Sequence, residues 1–168
     1  NYVFTDVQDP VEWAALITAN KAKGFTNGCR LKGGLPKPDQ TTAKIGSCSV
    51  EEVTKQTRKV TIQLFEHDED FSNFEIFEWL MTDSRWRCMA VAFITCPDAD
   101  NSDKQLAFNY NSTTSKFGAI TAFLPADVVP DTDEENLYIE VETTVNYTFA
   151  KPVDITAVMQ SSSVNFNG

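Results

Sequence analysis

From Leu137 to Ala150 bulky and small polar residues alternate with a period of two. Leu137, Ile139, Val141, Thr143, Val145, Tyr147 and Phe149 make one set, mostly apolar. Tyr138, Glu140, Glu142, Thr144, Asn146, Thr148 and Ala150 make the other, rich in carboxylates and hydroxyls. Successive side chains on a strand point to opposite faces, so this stretch predicts a strand with one greasy and one wet face. At roughly 3.3 Å per residue it would span on the order of 45 Å. Strands usually run about five or six residues. A ribbon this long either bends around its own domain or continues into a neighbouring copy, and the second is taken as the leading expectation.

A second long alternation covers 51–66, where Val60, Ile62 and Leu64 interleave with Lys59, Thr61 and Gln63. Two helices are expected. The first, over 9–23, has Asp9 as cap, Pro10 at its first position and Glu12 completing a capping box. Trp13, Leu16 and Ile17 then share a face, and Gly24 ends it. The second, over 72–82, opens on Ser72-x-x-Glu75 and packs Phe74, Phe77, Leu80 and Met81. Between them, Gly24 to Asp39 is rich in Gly and Pro turn signals and is expected to be an interaction arm. Trp86 to Cys96 is apolar at both parities, which predicts one strand between two layers. Short strands follow over 105–110 and 117–124, with Gly118 marking a bulge. Pro125 to Glu135 reads as an acidic loop, Ile155 to Met159 as a last strand, and the remainder as a polar tail.

Composition narrows the classes. With 168 residues, 42% hydrophobic and 23% charged, the chain fits one soluble domain with a substantial core. Its 12 Phe, 4 Tyr and 3 Trp favour sheet and interface packing. The net charge of −10 argues against a free nucleic-acid reader, which needs a basic patch. An acidic surface still suits the wall of a passage, because repulsion of phosphates prevents sticking. No apolar run is long enough for a membrane span, and no secretory leader is visible, with removal of one ahead of Asn1 left open.

Candidate chemistry is sparse. Cys29, Cys48, Cys88 and Cys96 lack the C-x-x-C spacing of zinc sites, and His67 is distant from all four. Cys88 and Cys96 are expected to be buried thiols; Cys29 and Cys48 flank the Gly/Pro loop and could bridge in an oxidising compartment. Glu140 and Glu142 lie two apart, with β-carbons about 7 Å from one another, a carboxylate pair that glycosidases employ. Hydroxyls surround that pair where a raised acid needs apolar neighbours, so hydrolysis is not favoured. The acidic runs at Asp98, Asp100 and Asp103 and at Asp131, Asp133, Glu134 and Glu135 lack the spacing of a calcium loop. No catalytic residue, cofactor or metal is expected, and nucleotide and nucleophile motifs are absent.

The order of long strand 51–66, short helix 72–82, buried strand 86–96, short strand 105–110, strand 117–124 and long strand 136–150 resembles that of phage tail tube proteins. Tube proteins of type VI secretion are related to these, and the resemblance covers roughly residues 50–153. It implies a mainly β fold, a β-sandwich or barrel with one flanking helix, here with an amino-terminal helix added. The expected layout is one domain, 1–168. Within it, 1–49 forms a helix and Gly/Pro arm, 50–153 the β core, and 154–168 a carboxy-terminal strand and tail.

By that resemblance the chain is a structural virion protein, a major tail tube subunit rather than an enzyme. It forms hexameric rings stacked around a DNA-conducting lumen, and the tube is assembled in the host cytoplasm. Glu140, Glu142, Thr144, Asn146 and Thr148 would line the lumen. Its partners would be copies of itself, other tail proteins, and passing DNA bound without sequence preference, with no membrane contact. The arm 24–39 or the tail 154–168 would join successive rings. One alternative is a secreted β-sandwich binding module, motivated by the sequons at Asn111 and Asn146. Another is a capsid decoration or tail-completion protein.

Overall fold

The two long ribbons meet edge to edge in one antiparallel sheet. The computed structural model describes residues 2–25, 29–31, 37–45, 50–65, 72–95, 104–130, 137–146 and 151–166. In chain order these form α1 (Pro10–Thr18), β1 (Cys29–Leu31), β2 (Asp39–Ile45), β3 (Val50–Phe65) and α2 (Ser72–Met81). A 3-10 segment, Thr82–Cys88, leads into β4 (Ala90–Val91), β5 (Phe93–Ile94), β6 (Leu106–Phe108) and β7 (Tyr110–Asn111). The chain continues through β8 (Lys116–Pro130), β9 (Leu137–Asn146), β10 (Val153–Asp154) and α3 (Thr156–Met159). The fold is mainly β, with a seven-stranded sheet ordered β1-β3-β9-β8-β4, β2 beside β3 and β7 beside β8. A smaller sheet runs β10-β6-β5.

One corner connects the sheets, and it explains two departures from the expected strands. Residues 86–96 are not one strand. Asp83 and Ser84 take positive φ, 54° and 55°, and the chain turns through the 3-10 segment before extending at Met89. β4 then pairs with β8 in the large sheet, while β5 pairs with β6 in the small one. The apolar character at both parities reflects a chain that passes between sheets, and every residue from Met89 to Thr95 is half-buried. The stretch 105–110 divides in the same manner at Asn109, whose φ is 72°. Asn109 is 1% exposed, and its Nδ2 donates to the Val91 carbonyl at 2.9 Å, tying both crossing segments together.

The main core gathers the two ends of the chain. Phe4, Val7, Trp13 and Leu16 pack with Tyr110, Phe117, Ile155 and Val158. Phe4 centres the aromatic group, 5.0 Å from Trp13 and 5.6 Å from Phe117 between ring centroids. Residues expected in the arm and in the tail thus contribute to one core. The amino-terminal helix is built into the core, and β1 and β2, within the supposed arm, pair with β3. The supposed last strand, Ile155 to Met159, is helical instead: it follows β10 and forms α3. Ile155 and Val158, three apart, present one apolar helical edge and are fully buried.

A second core lies under α2, where Ile76, Phe77 and Leu80 pack with Ile62, Trp86 and Phe123. Met81, expected in that packing, is 46% exposed. The acidic loop expected from Pro125 begins later, because β8 continues to Pro130 against β9. The register shifts between Leu124 and Asp127, so Pro125 falls at a bulge, where the missing N–H costs no ladder bond.

The start of α1 also differs from a simple capping box. Asp9 accepts from the Val11 N–H at 2.9 Å as expected. Glu12 reaches past it and accepts from the Thr5 and Asp6 N–H groups, each at 2.9 Å, and from the Tyr2 hydroxyl at 2.7 Å. Partial burial pushes its carboxyl up, but the donors from Asp6, Thr5 and Tyr2 outweigh this and hold it below the usual glutamate value. Asp154 is also lowered, by the Thr156 hydroxyl and N–H and then by Lys104. A lowered folded-state pKa adds stability above the unfolded value and loses it as pH falls through the folded one. Residues 2–12 are accordingly expected to loosen as pH falls through and below the ordinary glutamate range. In Glu12→Gln that step should disappear; amide hydrogen exchange of Thr5 and Asp6 against pH measures it.

Candidate functional site

The expected site is the wet face of β9, and its geometry follows from three aligned strands. β3 pairs with β9 from Thr57↔Asn146 to Phe65↔Tyr138. β8 lies on the other side of β9, from Ile120↔Val145 to Pro130↔Leu137. β9 is thus a central strand with partners from its own chain on both edges. This corrects the expectation that the long ribbons find their partners in other copies. The physical reason lies in β8, which at 15 residues is long enough to cover β9 where a short strand was foreseen.

The alternation itself holds where the side chains are described. Thr143 and Val145 are 4% and 0% exposed, whereas Thr144 and Asn146 are half-buried on the opposite face. Thr121 Oγ1 donates to the Thr144 carbonyl at 3.2 Å, and Thr121 is the extra residue of a bulge between Ile120 and Ala122. Glu140 and Glu142 occupy ladder positions opposite Gln63 and Thr61, but their side chains lie outside the described residues. Thr148 also lies outside them. Of the five expected lumen residues, Thr144 and Asn146 are thus placed in full and share one face.

The register adds residues to that face. Directly opposite residues in an antiparallel pair share a face, so exposed Lys59, opposite Thr144, joins it. So does Thr57, opposite Asn146. The face therefore mixes lysine with hydroxyls and is not uniformly acidic. Gln63 departs from the expected wet set, being only 6% exposed. It sits in a continuous row, Arg30↔Gln63↔Glu140↔Asp127, flanked on both edges, whereas Lys59 has a described strand neighbour on one edge only.

The edges of the sheet are the other feature. Among the described residues, β2 pairs with β3 and has no second strand beside it, and Asp39 to Lys44 are all exposed. At the opposite side, β7 and β4 cover β8 only from Lys116 to Ala119, and Ile120 donates its N–H to the Met89 carbonyl. From Thr121 to Pro130 the side of β8 away from β9 has no strand beside it among the described residues. Among the described residues the sheet thus ends, on opposite sides, in two edges that no further strand covers. From Val50 to Gln56, β3 likewise runs past the described end of β9 with only β2 alongside.

Other candidate chemistry stays dispersed. Among the described residues no three His, Cys, Asp or Glu side chains gather into a cation site. Cys88 is exposed, correcting the expected buried thiol; it closes the 3-10 segment instead of lying in a strand between layers. The side chain of Cys29, together with Cys48, Cys96, His67 and both acidic runs, lies outside the described residues. Asn111 ends β7, half-buried, and its Oδ1 accepts from the Thr113 and Thr114 N–H groups of the following turn at 2.9 and 3.2 Å. No described helix is long and apolar enough to cross a membrane.

A feature that sequence reading missed lies beyond α2. Lys23 Nζ is 5.8 Å and Arg85 Cζ 5.7 Å from the centroid of the Trp79 ring. Arg87 Cζ is 5.3 Å from the Trp86 ring. The signal was present in Arg85-x-Arg87 flanking Trp86, but Lys23 arrives from the far side of three strands. Comparison of the chain with protein-family models, with curated proteins and with solved structures finds no match.

Proposed function

We propose that this chain is a self-assembling structural subunit, the major tail tube protein of a long-tailed phage. Six copies would form a ring, and rings would stack in the virion around a lumen that conducts DNA. The observation that carries the reading is the pair of edges, at opposite ends of one sheet, that no described strand covers. Exposed strand edges invite pairing and are normally blunted. Here β2 of one copy and the outer half of β8 of another are complementary as backbone donors and acceptors. A head-to-tail contact of this kind closes into a ring when the rotation between copies permits. The link between copies thus moves from the long ribbons themselves to the strands that flank them.

The wet face, with Thr144, Asn146, Thr57 and Lys59 and the positions of Glu140 and Glu142, then faces the lumen. The opposite face is covered by α2 in each subunit. Contact between rings falls to the β2–β3 ribbon in place of the tail, because α3 is committed to the core. Negative-stain imaging of the purified protein at rising concentration tests the assembly, with rings or tubes expected. The charge-reversed pair Glu140→Lys and Glu142→Lys is expected to assemble normally but to impair genome passage. Monomers at every concentration would remove the reading. Unchanged infectivity of the pair would take these positions away from the channel.

A further inference from the structure

The β7–β8 hairpin carries a motif that self-assembly leaves unused. Asn111-Ser112-Thr113 is a sequon for attachment of a sugar to an asparagine amide, a modification that requires a surface turn. The hairpin supplies one. Tyr110 pairs with Phe117 and Asn111 with Lys116, so residues 112–115 form the turn. Tyr110 and Phe117 are buried with their rings 5.1 Å apart, and Phe4 donates its N–H to the Ser115 carbonyl at 2.8 Å. These contacts anchor the turn at its base, while Ser112, Thr113 and Thr114 are all exposed. Asn111 Oδ1 accepts from the Thr113 N–H at 2.9 Å and the Thr114 N–H at 3.2 Å, an Asx turn. Both lone pairs of that oxygen are engaged, and among the described residues nothing accepts from Nδ2. Donation to Oδ1 draws electron density from the amide and makes an Nδ2 proton easier to remove. Lys116, directly opposite Asn111, puts a cation on the same face, where the diphosphate of an activated sugar would arrive.

We propose that Asn111 is an N-glycosylation acceptor in the folded protein, taking a sugar from a diphosphate-activated donor. In this step Nδ2 bonds to C1 of the sugar while the bond from C1 to the diphosphate oxygen breaks. The diphosphate leaves with the bonding electron pair, one Nδ2 proton passes to a base of the transferase, and nothing is oxidised or reduced. The diphosphate belongs to a nucleotide or to a lipid carrier, and the chemistry at Asn111 is the same for both. The second sequon has a different setting. Asn146 ends the central strand β9, opposite Thr57 and with Gly118 of β8 against its carbonyl, and Thr148 lies outside the described residues. The acceptor role of Asn111 stands apart from self-assembly, so either can fail without the other.

The test incubates the purified, folded full-length chain in two arms. One contains a nucleotide-sugar-dependent asparagine glycosyltransferase, the other an oligosaccharyltransferase with its lipid-linked sugar. Mass spectrometry of the tryptic peptide 105–116 reads the occupancy of Asn111. Occupancy is expected in at least one arm, at a rate comparable with that of a free peptide of the same residues, and the arm that works identifies the donor. Thr113→Ala should lower it at least tenfold, Thr113→Ser should retain it, and Asn111→Gln should leave the peptide bare. An Asn111 that stays unmodified in both arms, or is modified only in the free peptide, overturns the proposal. Occupancy unchanged by Thr113→Ala also overturns it.

Discussion

Gly118→Ala is expected to destabilise the fold by about 3 kcal/mol, the upper end of overpacking costs. Gly118 lies where the crossing segments meet, paired with Val91 and donating its N–H to the Asn109 carbonyl at 2.9 Å. A β-carbon there would collide with the Asn146 backbone carbonyl on one side and with the Asn109 amide group on the other. The first obstacle is main chain in a central strand and cannot rotate away. The second is held by its bond to Val91. Relief requires β8 to separate from β9 next to Val145, which is fully buried. Urea unfolding measures the loss. An unfolding free energy within about 1 kcal/mol of wild type would show that the corner yields.

Trp13→Ala is expected to cost about 4 kcal/mol, in the range for removal of a large buried aromatic side chain. Trp13 is 5% exposed and touches Phe4, Phe117 and Phe166 through ring contacts of 5.0, 6.1 and 5.7 Å. Its Nε1 also donates to the Val7 carbonyl at 2.8 Å, a buried bond whose loss adds roughly 1 kcal/mol. Trp13→Phe keeps most of the ring contact and should lose roughly half as much as Trp13→Ala. Val11→Ala, at a site 72% exposed, should remain within about 0.5 kcal/mol of wild type. Equal, small effects for all three variants would mean that the amino-terminal helix docks loosely on an independent β core.

The period of two was legible because β3 and β9 each keep one dry face, and Val60 and Val145 lie there as expected. The α2 helix was legible from its capping pattern, with Phe77 and Leu80 buried. What eluded the sequence depends on partners distant along the chain. Ile155 to Met159 offers β-branched residues, yet Ile155 and Val158 pack as one edge of a helical turn against the core of Phe4, Trp13 and Phe117. Asn109 and Gly118 carry no periodic signal; their positions matter because two sheets cross at that point. The edges could not be read either, since whether a strand is central or outermost is decided by its neighbours. The wet face was legible at Thr144 and Asn146, but its mixture with Lys59 emerges only from the register.

The central claim is that the open edges of β2 and β8 become paired between copies, and hydrogen exchange of assembled against monomeric protein addresses it residue by residue. Amides of Asp39–Ile45 and Thr121–Val129 whose N–H groups point away from β3 and β9 are expected to slow by at least tenfold on assembly. Amides of β9, already bonded on both sides, should not change. Assembly that leaves both edges exchanging freely, or no assembly at all, would contradict the account.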